Sequence, residues 1–535
     1  MWVDVIVEDV LRTRPVAQYL INDAKSPSGP IHVGSLRGVV LHDCVARALH
    51  AKDRGVRFLY GFDDYDPMDS RPMAVPAEFD RYLGMPLSEV PSPDGQAASF
   101  GRFFGLAFVD VFMKLGARPQ VYWTSEMYKS GQFNAAIRLA LDRAEDLMQI
   151  DREISGSQKA ERHPVQVVCE HCGRIGTTVV VSWDGRLVGY ECRPDKVEWA
   201  RGCGHRGERS PFDGGSKLQY IVEWAAKWKI LDVAIEGAGK DHMTKGGSHD
   251  RASAMVERVF NYPTPYPIPY EWFLVGGRKM KSSKGIGMPA AELVEVVRPE
   301  LARFLIVRPH YRQQINFDPG GETIPNLYDD YDRAAAAYFG ETEAKTAAEA
   351  ELWRDYARTF YFSRTDGEQP RCFRMRFAKV AYLMQMPTVD VEREAERDKG
   401  APLTDADRME LRQRMNDARR WLQTYAPDQY RFQVQSRLPD VPLDDAQRVF
   451  LGRLAEMIRG RPTWSGEELH EQIHALKNQL GLPPKQAFSA IYLAFLGKPS
   501  GPQAGWFLAA LDRDFVLTRL GEAATGVRGQ GSGVR

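Results

Sequence analysis

Over the first 150 residues, short apolar runs alternate with stretches whose apolar side chains recur at helical spacing. Val16 to Ile21 and Arg57 to Phe62 read as strands. Between them Leu36, Val39, Val40, Cys44, Ala48 and Leu49 share one face at a 3.6-residue period, which predicts a helix over 36–49. Strand, helix and strand in so short a span make a βαβ unit, and therefore a parallel sheet. Around 165–212 the pattern changes to glycines, cysteines, valines and a Trp-Asp-Gly turn, which predicts a small β-rich insert. Val233 to Glu236 and Pro269 to Val275 read as strands returning to the first sheet. Beyond about residue 330 the strand signals fade, and 405–424 and 441–459 carry amphipathic helical patterns. The expected class is α/β. Residues 1–164 and 213–330 form two halves of one domain, 165–212 the insert, 331–525 a helical domain and 526–535 a mobile tail.

Composition narrows the class. The 535 residues correspond to about three to four units of roughly 150. At 43% hydrophobic and 27% charged, the chain is an ordinary globular protein rather than a disordered or fibrous one. No apolar run approaches the roughly 18–20 residues that span a bilayer, and the acidic N-terminus lacks a signal-peptide pattern. Seventy-one basic residues balance 71 acidic ones. That excludes a polybasic protein held on nucleic acid by bulk charge, while leaving room for a local basic face. Six cysteines are too few for a disulfide scaffold, and four of them crowd into 169–203. The expectation is a metal site in a reducing, cytoplasmic compartment.

The first strand runs into KSPSGPIHVGS, Lys25 to Ser35, and then into the predicted helix. Pro27 and Pro30 punctuate a loop, while Gly29 and Gly34 permit close backbone approach. A helix N-terminus beyond the carboxyl end of a strand offers N–H groups and a favourable dipole to an anion, so the setting suits a nucleotide phosphate. His32 is placed to donate to phosphoryl oxygens; an ordinary βα loop capped by Ser35 is the alternative. A second element, GGRKMKSSKGIG from Gly276 to Gly287, packs Arg278, Lys279, Lys281 and Lys284 among glycines and serines. A loop so charged can close over a triphosphate and stabilise departing pyrophosphate; alone it would also pass for a solvated basic turn.

Cys169 and Cys172 form a Cys-x-x-Cys, and Cys192 and Cys203 follow. Such a turn fits one edge of a tetrahedron with metal–sulfur bonds of about 2.3 Å, and the second pair could close a structural zinc site, cysteines that merely pack being the alternative. The wide spacing of that pair leaves His205 or His171 open as a substitute ligand. A redox Cys-x-x-Cys lacks its βαβ setting here. Cys44 and Cys372 read as inert.

The two loops together resemble the signatures of class I aminoacyl-tRNA synthetases, with HVGS at His32 to Ser35 and KMKSSK at Lys279 to Lys284. The whole chain, from about residue 1 to 520, is similar to the class I lysyl-tRNA synthetase family. PSGPIHVGSLR, GFDDYDPMD, CEHCGRIGTT, GAGKDH, YEWFLVGGRKM and GPQAGWFLAALDRDF carry the resemblance. It implies a Rossmann-type catalytic domain with a zinc-binding insert facing the tRNA acceptor, and an α-helical anticodon-binding domain at the C-terminus. The implied reaction forms lysyl-adenylate from ATP, with Mg2+, and transfers lysine to tRNA.

By that resemblance His32, Ser35 and Lys284 are the catalytic candidates. Ser28, Gly34, Lys279, Ser282, Ser283 and Asp241 would bind ATP, with Asp241 accepting from ribose hydroxyls. Gly29, Tyr220, His242 and Tyr270 would form the lysine pocket, and Cys169, Cys172, Cys192 and Cys203 would hold zinc. The family pattern is not followed throughout. Ser35 replaces a second histidine, Ser282 a lysine, and Lys281 is unusual. Gly38 stands where a glutamate usually follows the arginine of the first helix, and Tyr220 where a tryptophan is usual. An ammonium leaving water needs a carboxylate, and Asp63, Asp64 or Asp66 could supply it, each otherwise capping a turn. Residues 359–384 interleave aromatics with Arg364, Arg371, Arg374, Arg376 and Lys379, which suits RNA but also an ordinary helical core. Two other readings stand beside the ligase: activation of a different amino acid, and a synthetase-like tRNA-binding protein without ligase activity.

Overall fold

The computed structural model describes residues 1–156, 163–277, 287–367, 369–386 and 389–526. In chain order its first part runs α1 (Trp2–Thr13), β1 (Gln18–Lys25), α2 (Ser35–His50), β2 (Gly55–Phe62), α3 (Phe100–Lys114), β3 (Gln120–Trp123), α4 (Thr124–Lys129), α5 (Asn134–Asp142) and α6 (Ala144–Ser155). Then come β4 (Val165–Val167), β5 (Thr178–Trp183), β6 (Val188–Cys192), β7 (Arg206–Arg209), β8 (Ser216–Leu218), α7 (Tyr220–Leu231), β9 (Ile235–Gly239), α8 (Ser248–Arg258), β10 (Tyr266–Tyr270) and β11 (Phe273–Val275).

The predicted βαβ unit is present. β1 and β2 pair in parallel from Gln18 opposite Gly55 to Lys25 opposite Phe62. β9 lies in parallel on the other side of β1, giving a sheet of order β10-β9-β1-β2-β3. β1 is central and covered on both faces, so Tyr19 to Asp23 are all buried rather than alternating. The stretch 269–275 is two strands rather than one. β10 joins the main sheet, whereas β11 pairs separately with Ile315–Phe317. The break falls at Glu271 and Trp272, whose backbone turns away to bond Tyr311 and Ile315.

α2 buries far more than one face. Every residue from Leu36 to Val45 is buried, including Arg37, His42 and Asp43. These polar groups are tolerated because each is bonded. Arg37 donates to the carbonyls of Trp272, Tyr311 and Gln313. Asp43 accepts from Arg47 at 2.8 Å and from Arg303, whose guanidinium also reaches the carbonyls of Leu115 and Phe362. Cys44 is inert as expected, with burial pushing its thiol up to about 11.

In the insert, β5, β6 and β7 form an antiparallel sheet, and β4 pairs with β8. Val165, Val167, Ile175, Val188 and Tyr190 pack in the same apolar cluster as Leu20 and Leu59 of the main sheet.

By internal contacts the chain forms two compact units, one of residues 1–318 and 333–368, the other of 319–332 and 369–535. The second is helical. Three of its helices, Asp405–Thr424, Asp445–Arg459 and Gly466–Gln479, start with reciprocal capping boxes at Thr404/Asp407, Asp444/Gln447 and Ser465/Glu468. Phe450, Leu454, Ile473, Ile491 and Phe495 are among its core residues. Arg376 and Lys379, from the Arg-rich aromatic stretch, pair with Asp329 and Asp398 inside this unit. Among the described residues, no helix is long and apolar enough to cross a membrane.

Arg303 is fully buried and holds three segments around α2. Replacing it by methionine leaves two carbonyls and part of the Asp43 charge unanswered, so Arg303→Met should cost roughly 3–5 kcal/mol of stability in a urea melt.

Candidate active site

β1 has β2 on one side and β9 on the other, so the sheet order reverses at β1. In open parallel sheets such a switch point leaves a crevice beyond the carboxyl ends of the strands. Here it is a cleft of about 260 Å³. β1 contributes Asp23, Ala24 and Lys25, β9 contributes Glu236 to Gly239, and β10 contributes Tyr270. His32, Gly34 and Ser35 enter from the loop before α2, and Tyr220, Trp224 and Lys227 from α7.

Seven sequence-predicted residues therefore meet at one place: His32, Gly34, Ser35, Tyr220, Asp241, His242 and Tyr270. Ser28 and Gly29 do not line the cleft; a Cβ at Gly29 would come within 2.8 Å of the Pro72 ring. Lys279, Lys281, Ser282, Ser283 and Lys284 lie outside the described residues. The flanks of their loop are described. On one side the Gly276 amide donates to the Phe317 carbonyl at 3.1 Å. On the other His32 and Pro289 form a β-bridge, with Val33 N–H donating to Met288 at 3.0 Å and Ala290 N–H to Ile31 at 2.9 Å. The histidine loop and the end of the lysine-rich segment are thus joined through backbone.

The amides at the start of α2 are not free, as the sequence reading had them. Those of Ser35, Leu36 and Arg37 already bond the carbonyls of His32, Val33 and Gly34, because the first turn is tight. Attraction for an anion must then come from the helix dipole and from side chains. Lys25 and His32 are such side chains. Burial, and next the nearby Lys25 ammonium, hold His32 down at about 4, so it enters the site as neutral imidazole with one N–H to donate. Its Nδ1 is buried with no hydrogen-bond partner among the described residues. Burial also lowers Lys25, opposed by Asp23 and Asp63.

One wall is aromatic. Tyr220 stacks on Trp224 at 6.0 Å, the His242 ring stands 6.0 Å edge-on to Trp224, and the Tyr220 hydroxyl lies 3.4 Å from His242 Nδ1. His242 and Asp241 sit on a turn closed by His242 N–H to the Gly239 carbonyl at 2.9 Å. Asp241 is exposed at the mouth.

The acids suggested by the sequence are committed elsewhere. Asp64 accepts from the Ser125 amide at 2.8 Å and hydroxyl at 2.7 Å, at the start of α4. Asp66 pairs with Lys217 at 3.0 Å. Asp63 reaches the cleft but binds Lys227 at 2.6 Å, and this ammonium is held well above its usual range by Asp63 and Glu223 against the cost of burial. Sequence reasoning missed Asp23, Lys25, Trp224, Lys227 and Glu236. Glu236 accepts from Trp224 Nε1 at 2.7 Å, Asn22 Nδ2 at 2.8 Å and Trp228 Nε1 at 2.9 Å; burial pushes its carboxyl up. The available signal was the charged Asp-Ala-Lys end of an otherwise apolar strand running into the phosphate loop.

In the insert the four cysteine sulfurs lie within 4.8 Å of one another, without His171 or His205 in the group. Cys169 and Cys203 are 3.7 Å apart, as are Cys172 and Cys192. A tetrahedron with bonds of about 2.3 Å has edges of about 3.8 Å, so the arrangement matches a closed four-thiolate metal site. All six cysteines are free of disulfides.

Comparison with known proteins agrees with this geometry. The family model described as "tRNA synthetases class I (K)" matches residues 1–358, and one for an anticodon binding domain matches 425–524. A protein of Methanosarcina acetivorans named lysine–tRNA ligase 1 is 34% identical, covering 98% of both chains. Lysine–tRNA ligases of Methanosarcina barkeri and Archaeoglobus fulgidus are each 33% identical, covering 98% and 97% of this chain and 97% and 99% of their own. With the His32 loop, the switch-point cleft and the cysteine insert all inside one match, the chain belongs to the class I (K) tRNA synthetases.

Proposed function

We propose that this chain is an ATP-dependent lysine–tRNA ligase of the cytoplasm. The observation that carries the reading is the meeting of the His32 loop, the anchored flank of the lysine-rich segment and an acid-lined aromatic cleft at the sheet's switch point. The names of its full-length relatives supply the amino acid.

In this reading MgATP lies with its adenosine toward Asp241 and Gly239, and its phosphates between His32, Gly34, Ser35 and Lys25. A carboxylate oxygen of lysine attacks the α-phosphorus, the bond to the bridging oxygen of pyrophosphate breaks, and pyrophosphate departs. Neutral His32 donates to a phosphoryl oxygen as its charge grows, and Lys284, with Lys279, Ser282 and Ser283, screens the leaving group. A terminal ribose hydroxyl of tRNA then attacks the adenylate carbonyl and AMP leaves. Positioning and charge stabilisation suffice, and no enzyme nucleophile is needed. Tyr220, His242 and Tyr270 pack the lysine stem, while Ser28 and Gly29 shape the loop from outside the cleft.

Cys169, Cys172, Cys192 and Cys203 would hold zinc; with four thiolates and no open position, its chemistry is to fix the insert. The helical unit reads tRNA, since anticodon bases are recognised unstacked on such surfaces.

His32→Ala and Lys284→Ala should each lower ATP–pyrophosphate exchange, measured with tRNA present, by about 10²–10³-fold. Filter binding of tRNA should be unaltered; equal loss of tRNA binding would remove both from the ATP site. Mass spectrometry of purified protein should find about one zinc per chain. Cys172→Ser should lose that metal and lower the melting temperature, and a metal-free wild-type protein of unchanged stability would refute the zinc assignment.

A further inference from the structure

Gly38 lies one turn into α2, and a Cβ built on it would stand 2.5 Å from Asp23 Oδ2 and 2.7 Å from the Tyr270 hydroxyl. The space a side chain at 38 would enter is therefore filled by a carboxylate from β1. A carboxylate carried on the helix at 38 and the one from β1 would compete for the same space. Both together would collide and bring two buried carboxylates into contact.

Asp23 is a cleft acid with few internal bonds. Its Oδ1 accepts the Ala24 amide at 2.9 Å, and Oδ2 lies 3.6 Å from His42 Nδ1. Against the cost of burial Asp23 holds His42 above its usual range, yet the ring is not a full counter-cation. Its Nε2 accepts the Gly237 amide at 2.7 Å, so the ring's proton is on Nδ1, where the Gly38 carbonyl takes it at 2.8 Å. Lys25 follows two residues along the same strand face, where burial lowers its pKa and Asp23 opposes that. By contrast Asp63 is occupied by Lys227 and Glu236 by three donors. Inside the cleft Asp23 offers an ammonium a buried carboxylate bonded to one amide and lying beside an imidazole, and an unpaired ammonium there would be costly.

The geometry points to Asp23 as the residue that receives the ε-ammonium of the amino acid, with Gly38 required so that the carboxylate can stand there. The assignment rests on the lysine reading above. It makes Asp23 the determinant of a cationic side chain and Gly38 its obligatory partner.

The test uses the full-length protein with total tRNA in ATP–pyrophosphate exchange. Asp23→Asn, which keeps the shape and the Ala24 contact, should raise KM for lysine by roughly 10²–10³-fold, the effect of leaving a buried ammonium unpaired. KM for ATP should stay unchanged, and preference for lysine over its neutral isostere norleucine should collapse. Gly38→Glu alone should be inactive, whereas Asp23→Ser combined with Gly38→Glu should regain lysine activation by returning the charge to the helix. An unchanged KM for lysine in Asp23→Asn would overturn the assignment while leaving the ligase reading intact. So would parallel losses in KM for lysine and ATP, or a folded double variant no better than Asp23→Ser. Wild-type protein inert with lysine would overturn both.

Discussion

A charge withdrawn from water must be answered, and the carboxyl edge of the sheet is organised around that requirement. Asp63 at the end of β2 faces Lys227, Lys227 neighbours Glu223, Glu223 holds Lys217, and Lys217 reaches Asp66. The Tyr128 hydroxyl adds a donor to Glu223 at 2.6 Å. These groups come from β2, α4, α7 and β8, so the network ties the cleft to the stem of the cysteine insert. Removing any one member strands the others, and the arrangement therefore specifies how α7 lies against the sheet. What the network leaves unanswered is as informative as what it satisfies, since the groups still open toward the cleft are those a ligand must complete.

Much of the scaffold was legible along the chain. The βαβ unit, the β-rich insert and the C-terminal helices announce themselves through apolar period, cysteine spacing and amphipathic patterning. The phosphate loop and its lysine-rich counterpart were legible as motifs, and their flanks meet through His32 and Pro289. Other features were hidden for physical reasons. α2 reads as one-sided because Arg37, His42 and Asp43 are polar; they are buried because carbonyls and cations distant in sequence bond them. One strand was expected over 269–275 where there are two, since nothing local shows that Trp272 must turn to meet Arg37.

The pocket was the least legible part. Asp63, Asp64 and Asp66 cluster conspicuously in sequence, yet each is consumed by Lys227, Ser125 or Lys217. Asp23 reads only as the charged end of a strand until β9, some 200 residues later, lies down beside it and converts that end into a wall. A missing side chain at 38 is equally mute in one dimension. Only the fold shows that its absence and the presence of Asp23 are the same fact.

The cysteine insert shares an apolar cluster with Leu20 and Leu59 of the nucleotide-binding sheet. It is thus a keystone rather than an appendage. A shortened chain lacking 165–218 would bare the apolar sides of α5 and α7 against which β4 and β8 lie, so a redesign that discards the cysteines must still supply an equal oily cover.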